Sequence, residues 1–124
     1  MAEHERVYLI EDDLDIAIDV RYDLERSGHK VIEYARTFEN ARERLPFAIE
    51  KGMTVAVIDG NLEQGGSGND CSDGKEISAL IRDVAPRTKI IAFTRSREGV
   101  ADYGDIFVGK SLYRLVKEIT EIPR

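Results

Sequence analysis

Val7-Tyr8-Leu9-Ile10-Glu11-Asp12-Asp13 decides the fold. An unbroken apolar run stops abruptly at carboxylates. A strand buried on both faces reads as a continuous apolar run rather than an alternating one. The same break recurs at Val55-Ala56-Val57-Ile58-Asp59, and with other chemistry at Ile90-Ile91-Ala92-Phe93-Thr94 and Ile106-Phe107-Val108-Gly109-Lys110. Strands of this kind lying parallel deliver carboxylates, a hydroxyl and an ammonium to one edge of one sheet. That is the composition of a site for a divalent cation and a phosphoryl group.

Between these strands the period changes. The spacing predicts strands over Arg6–Glu11, Lys30–Ala35, Thr54–Asp59, Lys89–Phe93 and Ile106–Gly109. Lys30–Ala35 reads as shorter and more polar, as an edge strand would be. Helical spacing places Ile16, Ala17, Val20 and Leu24 on one face of Leu14–Ser27, capped by Asp13 and stopped by Gly28. Thr37 caps a second helix through Ala41 and Leu45, which Pro46 should bend or break, with room for a further turn to Glu50. Gly60 to Asp73 has loop composition. A third helix runs from Gly74 or Lys75 to Val84, with Ile77, Leu80, Ile81 and Val84 on one face. A last helix, Leu112–Ile122, turns Leu112, Leu115, Val116 and Ile119 inward. Strand–helix alternation implies a parallel sheet covered on both faces, hence a doubly wound α/β fold. Such folds place their site at the carboxyl ends of the strands.

The chain of 124 residues fits one domain, residues 1–124. A net charge of −6 argues against nonspecific nucleic-acid binding, which calls for a basic face. The single cysteine, Cys71, excludes an internal disulfide and a cysteine-based zinc site, and it falls in a polar loop that suggests exposure. No signal-peptide core opens the chain, and no apolar run approaches the roughly 20 residues that span a bilayer, so a cytoplasmic location and no membrane are expected. His4 and His29 read as solvated. Tyr8, Tyr22 and Tyr34 read as core or rim aromatics.

Clustered carboxylates repel one another and are tolerated where a hard cation neutralises them. Magnesium takes oxygen ligands and keeps several waters. Acidic residues at a strand–helix junction serve equally well as helix caps. Asp59 at the end of another strand tips the balance toward metal binding, with Asp13 as cap and Glu11 and Asp12 facing the ion. Lysines are mostly solvated surface charges, but one at a strand end is drawn to negative charge or a phosphoryl oxygen, and Lys110 stands there. Thr94 either starts a turn or donates to such an oxygen.

Over nearly its whole length the chain resembles response-regulator receiver domains of two-component signalling, a CheY-like superfamily. The resemblance rests on Glu11-Asp12, Asp59, Thr94 and Lys110 in order on successive strand ends, with Phe107 at the aromatic switch position and Gly74 opening the third helix. It implies a five-stranded sheet of order 2-1-3-4-5. It implies that Asp59 accepts a phosphoryl group from a phosphohistidine on a sensor histidine kinase or histidine phosphotransfer protein. It implies magnesium held by Asp12, Asp59, the backbone carbonyl of Asn61 and, through water, Glu11. Lys110 and Thr94 would hold phosphoryl oxygens, and Thr94 and Phe107 would move together as the switch. The expectation is a stand-alone receiver that signals to an unidentified downstream protein and turns over no independent substrate. Two rival readings are a degenerate receiver acting as an unphosphorylated binding module, and a magnesium-dependent phosphohydrolase. The second lacks a further acid past Asp59, since position 61 is the amide Asn61.

The chain departs from the family at four places. Ser111 stands where the family has a proline joined to the lysine by a cis bond. A non-proline cis bond costs about 3 kcal/mol more than trans, so the Lys110-Ser111 bond is left open between the family's cis form and the ordinary trans one. Arg95 stands where a small residue is usual, either covering the site or pointing to solvent. The segment from Asp59 to Gly74 is several residues longer than usual, and loop insertions cost little. The segment from Thr94 to Lys110 is several shorter, which reduces the family's fourth helix to a turn or two around Glu98–Tyr103 and alters the usual output surface.

Overall fold

The computed structural model describes residues 4–62 and 71–123. The described elements are β1 (Arg6–Ile10), α1 (Leu14–Arg26), β2 (Lys30–Ala35), α2 (Phe38–Glu50), β3 (Val55–Ile58), α3 (Ser72–Val84), β4 (Lys89–Ala92), β5 (Ile106–Phe107) and α4 (Leu112–Thr120). The five strands form one sheet in the order β2-β1-β3-β4-β5, every adjacent pair parallel. This is the expected doubly wound order. The long Gly60–Asp73 loop falls largely outside the described residues. No helix among the described residues is long and apolar enough to cross a membrane.

Side chains alternate across the central strands and feed two cores. Tyr8, Ile10, Ala56, Ile58, Ile90 and Ala92 point to the face covered by α2 and α3. Val7, Leu9, Val55, Val57, Ile91 and Phe93 point to the other, where Val20 and Leu24 of α1 meet Leu115 and Ile119 of α4. The register aligns Ile10 with Ile58, Ile58 with Ala92, and Ala92 with Phe107. The strands therefore end level, and the residues after β1 and β3, Glu11 and Asp59, open onto the same edge.

Local signals largely hold. Asp13 Oδ1 accepts from the backbone N–H groups of Asp15 (3.0 Å) and Ile16 (3.2 Å), so it is the cap of α1. Thr37 Oγ1 accepts from Asn40 N at 3.0 Å at the start of α2.

Several expectations are corrected. The second helix runs unbroken through Pro46 to Glu50. Pro46 lies on the solvent face, where water can satisfy the acceptor that its missing N–H leaves open. β2 is an edge strand but, at six residues, the longest rather than a short one. Leu80 and Val84 are exposed because α3 buries Ile77 and Ile81 instead. Tyr22 lies on the outer face of α1, beneath the Arg26 guanidinium, and is exposed. His29 is buried, not solvated: its Nδ1 accepts from Glu5 N at 3.0 Å and its Nε2 lies 3.0 Å from Thr120 Oγ1, joining β1 to the end of α4.

Glu33 on β2 couples the edge strand to α2. Its side chain, 8% exposed, meets Arg44 at 2.9 Å and Lys51 at 3.0 Å. The Arg44 hydrogen bonds hold its carboxyl below the usual carboxylate range, with Lys51 acting the same way and burial opposing. Because the folded value lies below the unfolded one, the contribution is complete above the ordinary carboxylate pKa of about 4.3 and is lost as pH falls through the depressed value. Glu33→Gln should lower the urea midpoint at pH 7. The gap from wild type should close as the pH of the titration drops below about 4.

Candidate functional site

Level strand ends explain why chemistry collects here. Glu11 and Asp59 each follow the last paired residue of β1 and β3, and their backbone N–H groups still extend the ladder, to Ala35 O at 3.0 Å and Ile10 O at 2.9 Å. Glu11, Asp12 and Asp59 each present a carboxylate oxygen within 4.8 Å of the other two. Glu11 and Asp59 are buried and Asp12 is half-buried. Together they floor an open cleft of ≈ 890 Å³ that Asn61, Thr94 and Lys110 also line.

Lys110 reaches this floor although it is distant in sequence. β5 ends at Phe107, two residues earlier than expected, because Gly109 takes φ 63°, a left-handed turn that a side chain would oppose. The turn sends Lys110 across the Phe93 ring, with Nζ 4.6 Å from the ring centroid. The ammonium pairs with Glu11 Oε1 and lies 3.3 Å from Asp59 Oδ2. Its side chain is 15% exposed, so Lys110 is sheltered within the cleft and is not a solvated surface charge. The peptide bonds of the described residues are all trans, that between Lys110 and Ser111 included. Ser111 serves instead as the cap of α4, its Oγ accepting from Arg114 N at 3.2 Å.

Burial pushes the Glu11 carboxyl up to about 7; Lys110 pulls it back down and Asp59 raises it further. Burial also raises Asp12, and the nearby Asp59 charge adds to that. These are groups that a hard cation would restore to full ionisation. The donor set suits one: all carboxylate oxygens, at a mutual spacing one ion can span. Both oxygens of Glu11 already have donors, Lys110 on Oε1 and the Asp13 N–H on Oε2 at 3.1 Å. Glu11 is the most tightly engaged of the three, since the contacts on Asp59, from Lys110 at 3.3 Å on Oδ2 and the Asn61 N–H at 3.4 Å on Oδ1, are longer.

Asn61 ties the cleft together. Its N–H donates to Asp59 Oδ1 at 3.4 Å, its Oδ1 accepts from Cys71 N at 3.1 Å, and its Nδ2 reaches Ser96 Oγ at 3.4 Å. Thr94 is buried, and its Oγ1 accepts from Ser96 N at 3.3 Å. Phe107, half-buried, lies beside Ala92 at the last paired position of β5. Cys71 is buried under the site, not exposed: its Sγ lies where a side chain on Gly60 would be.

The reduced segment after β4 is a single turn, in which the N–H groups of Val100 and Ala101 donate to Arg97 O. Tyr103 fills the space behind it. Its hydroxyl donates to Ile58 O at 2.6 Å, one residue before Asp59. Its ring packs so close to Gly74 that an added Cβ would stand 2.8 Å away. This contact accounts for the glycine at position 74.

Sequence reasoning passed over Tyr103, Ser96, Arg97 and Arg36. Arg36 had a signal: it follows the end of β2, the same placement that marks Glu11 and Asp59. Its Nη2 donates to Asp12 O at 3.3 Å. Tyr103, Ser96 and Arg97 had none, because they lie in an irregular segment with no period.

No protein-family model matches this sequence, and no curated protein matches it. Solved structures do match. The non-phosphorylated HemR receiver domain from Leptospira biflexa superposes with TM-score 0.72 at 18% identity, covering 97% of both chains. A CheY-like response regulator receiver domain from Methanospirillum hungatei gives TM-score 0.74 at 21% identity, covering 96% of this chain and 93% of that one. The isolated receiver domain of RcsB from Salmonella enterica, determined with a phosphomimetic beryllofluoride, gives 0.72 at 21%, covering 93% and 85%. The chain has the fold of response-regulator receiver domains over nearly its whole length, as the strand-end residues led one to expect.

Tyr103→Phe should cost about 1 kcal/mol in urea unfolding, at the modest end because Ile58 O keeps its bond from Phe93 N. Asp12→Asn should raise the urea midpoint of the metal-free protein, since it removes one of three mutually repelling carboxylates. An unchanged or lower midpoint would show that the repulsion is already relieved.

Proposed function

We propose that this chain is a phosphoacceptor receiver domain that takes a phosphoryl group on Asp59 from a phosphohistidine and signals the change to a partner protein. The observation that carries the proposal is the seating of Asp59: a buried carboxylate beside Lys110, with Glu11 and Asp12 close enough to share a cation. A carboxylate serving only as a cap or surface charge would need neither neighbour.

In this reading an Asp59 carboxylate oxygen forms a bond to phosphorus while the bond from phosphorus to the imidazole nitrogen breaks. The nitrogen leaves with the bonding pair and takes a proton. Little covalent help is required, so catalysis is positioning and charge stabilisation. Asp12, Asp59 and the Asn61 carbonyl would hold magnesium, with Glu11 acting through water; the ion supplies neutralisation of the carboxylates and of the incoming phosphoryl charge. Lys110 exchanges its contact with Asp59 for one with a phosphoryl oxygen. Thr94 turns its hydroxyl from the Ser96 N–H toward another. Movement of Thr94 frees space that Phe107 takes, which converts a local charge into a change of surface. The partner would be a sensor histidine kinase or a histidine phosphotransfer protein, which places the chain in the cytoplasm. No independent substrate is turned over.

Mass spectrometry after incubation with acetyl phosphate and magnesium should show one phosphoryl adduct on wild type and none on Asp59→Ala. Chelation of magnesium should abolish the adduct on wild type. An adduct retained by Asp59→Ala would exclude Asp59 as the acceptor. An unmodified wild type would favour a receiver fold used only for binding.

A further inference from the structure

The floor of the cleft is acidic, yet its mouth is basic. Arg36, Arg95 and Arg97 all line the cleft and all are exposed. They arrive from two sides: Arg36 from the end of β2, and Arg95 and Arg97 from the turn after β4. Carboxylates of Glu11, Asp12, Asp13 and Asp59 lie in the same cleft. Even so, among the described residues none of these three arginines makes an ion pair with a carboxylate. Arg6, Arg42, Arg87 and Arg114 make none either, and what sets the three apart is that they line the cleft.

The backbone carrying these arginines is fixed. The Arg36 N–H donates to Asn40 Oδ1 at 3.4 Å, and its guanidinium donates to Asp12 O, which holds its charge at the edge of the acidic cluster. Arg95 lies between Thr94 and Ser96, which bond to each other, and Ser96 is tied across the cleft to Asn61. Arg97 supplies the carbonyl that closes the single turn. The anchors are set, and no carboxylate among the described residues neutralises the three guanidinium charges.

An incoming phosphoryl group is itself a dianion, and four carboxylates around one lysine repel it. Guanidinium groups match phosphoryl oxygens with paired hydrogen bonds. Charge at the mouth of a cleft raises the local concentration of the opposite sign. We propose that Arg36, Arg95 and Arg97 form an anion-recruiting rim, which captures the phosphoryl dianion of the donor and hands it inward to Asp59 and Lys110. This rests on the phosphoacceptor reading and adds to it a determinant of which donors the site accepts: those that present a fully charged phosphoryl group.

The test is the rate of Asp59 phosphorylation against acetyl phosphate concentration, at fixed magnesium and several ionic strengths. The proteins are wild type, Arg95→Gln/Arg97→Gln, and the triple variant that adds Arg36→Gln. Transfer forms the bond from Asp59 to phosphorus and releases acetate, so products balance without a further reactant. The half-saturating donor concentration should rise about tenfold or more in the triple variant, and its dependence on salt should flatten. The double variant, which leaves the Asp12 contact intact, should show most of this effect. Arg87→Gln removes one positive charge at an exposed position outside the cleft and should match wild type, whereas Arg95→Gln alone should already raise half-saturation. Beryllofluoride binding, followed by NMR, should weaken in parallel. Arg95→Lys/Arg97→Lys should recover part of the loss, since the charge remains without the fork. A triple variant with wild-type half-saturation and salt dependence overturns the rim, as does an equal loss in Arg87→Gln. A wild type that takes up neither the phosphoryl group nor beryllofluoride overturns the phosphoacceptor reading, and the rim with it.

Discussion

Lys110 held against Glu11 and Asp59 is the contact on which the site depends. It joins the last strand of the sheet to the first and third, and it partly offsets a cluster of carboxylates that would otherwise repel. A buried ionic group is tolerated only when it is paired. This one is paired because the strands end level, so that residues after β1, β3 and β5 meet in a single cleft. Loss of that register by one residue would send every strand side chain to the wrong face and empty the cleft of its chemistry.

The rest of the molecule serves that alignment. Both faces of the sheet are buried, which fixes the strands from above and below. The short segment after β4 would leave a gap where a full helix could pack, and Tyr103 fills it. Its hydroxyl holds the carbonyl next to Asp59, and its ring leaves room only for glycine at position 74. Asn61 then links the three segments bordering the cleft: the loop after β3, the start of α3 and the turn after β4. The departures from the receiver pattern are thus built into the structure. Ser111 caps a helix, and the shortened segment is closed by an aromatic plug.

Electrostatics divides the cleft by depth. Burial and mutual proximity raise the carboxyls of Glu11 and Asp12 at its floor, which favours either a proton or a cation there. Guanidinium groups that form no ion pair among the described residues stand at its mouth. The proposed phosphoryl transfer would use both, a cation at the floor and an anion entering past the mouth.

The sequence by itself determined the sheet and most of its functional edge. Apolar runs ending at Glu11, Asp59, Thr94 and Lys110 identified the strands, and strand–helix alternation required them to be parallel, which is enough to bring those ends together. Helix caps at Asp13 and Thr37 were legible because capping is a local bond. Tertiary structure decided what depends on distant neighbours. His29 and Cys71 are polar or loop-placed in sequence but buried, because α4 and Gly60 close over them. Pro46 leaves its helix whole because its missing bond lies on the solvent face. Tyr103, Ser96 and Arg97 gave no signal, since an irregular segment has no period and the contacts of Tyr103 with Ile58 and of Ser96 with Asn61 are non-local. Periodicity reports which way a side chain points within its own element, and only packing reports what it meets there.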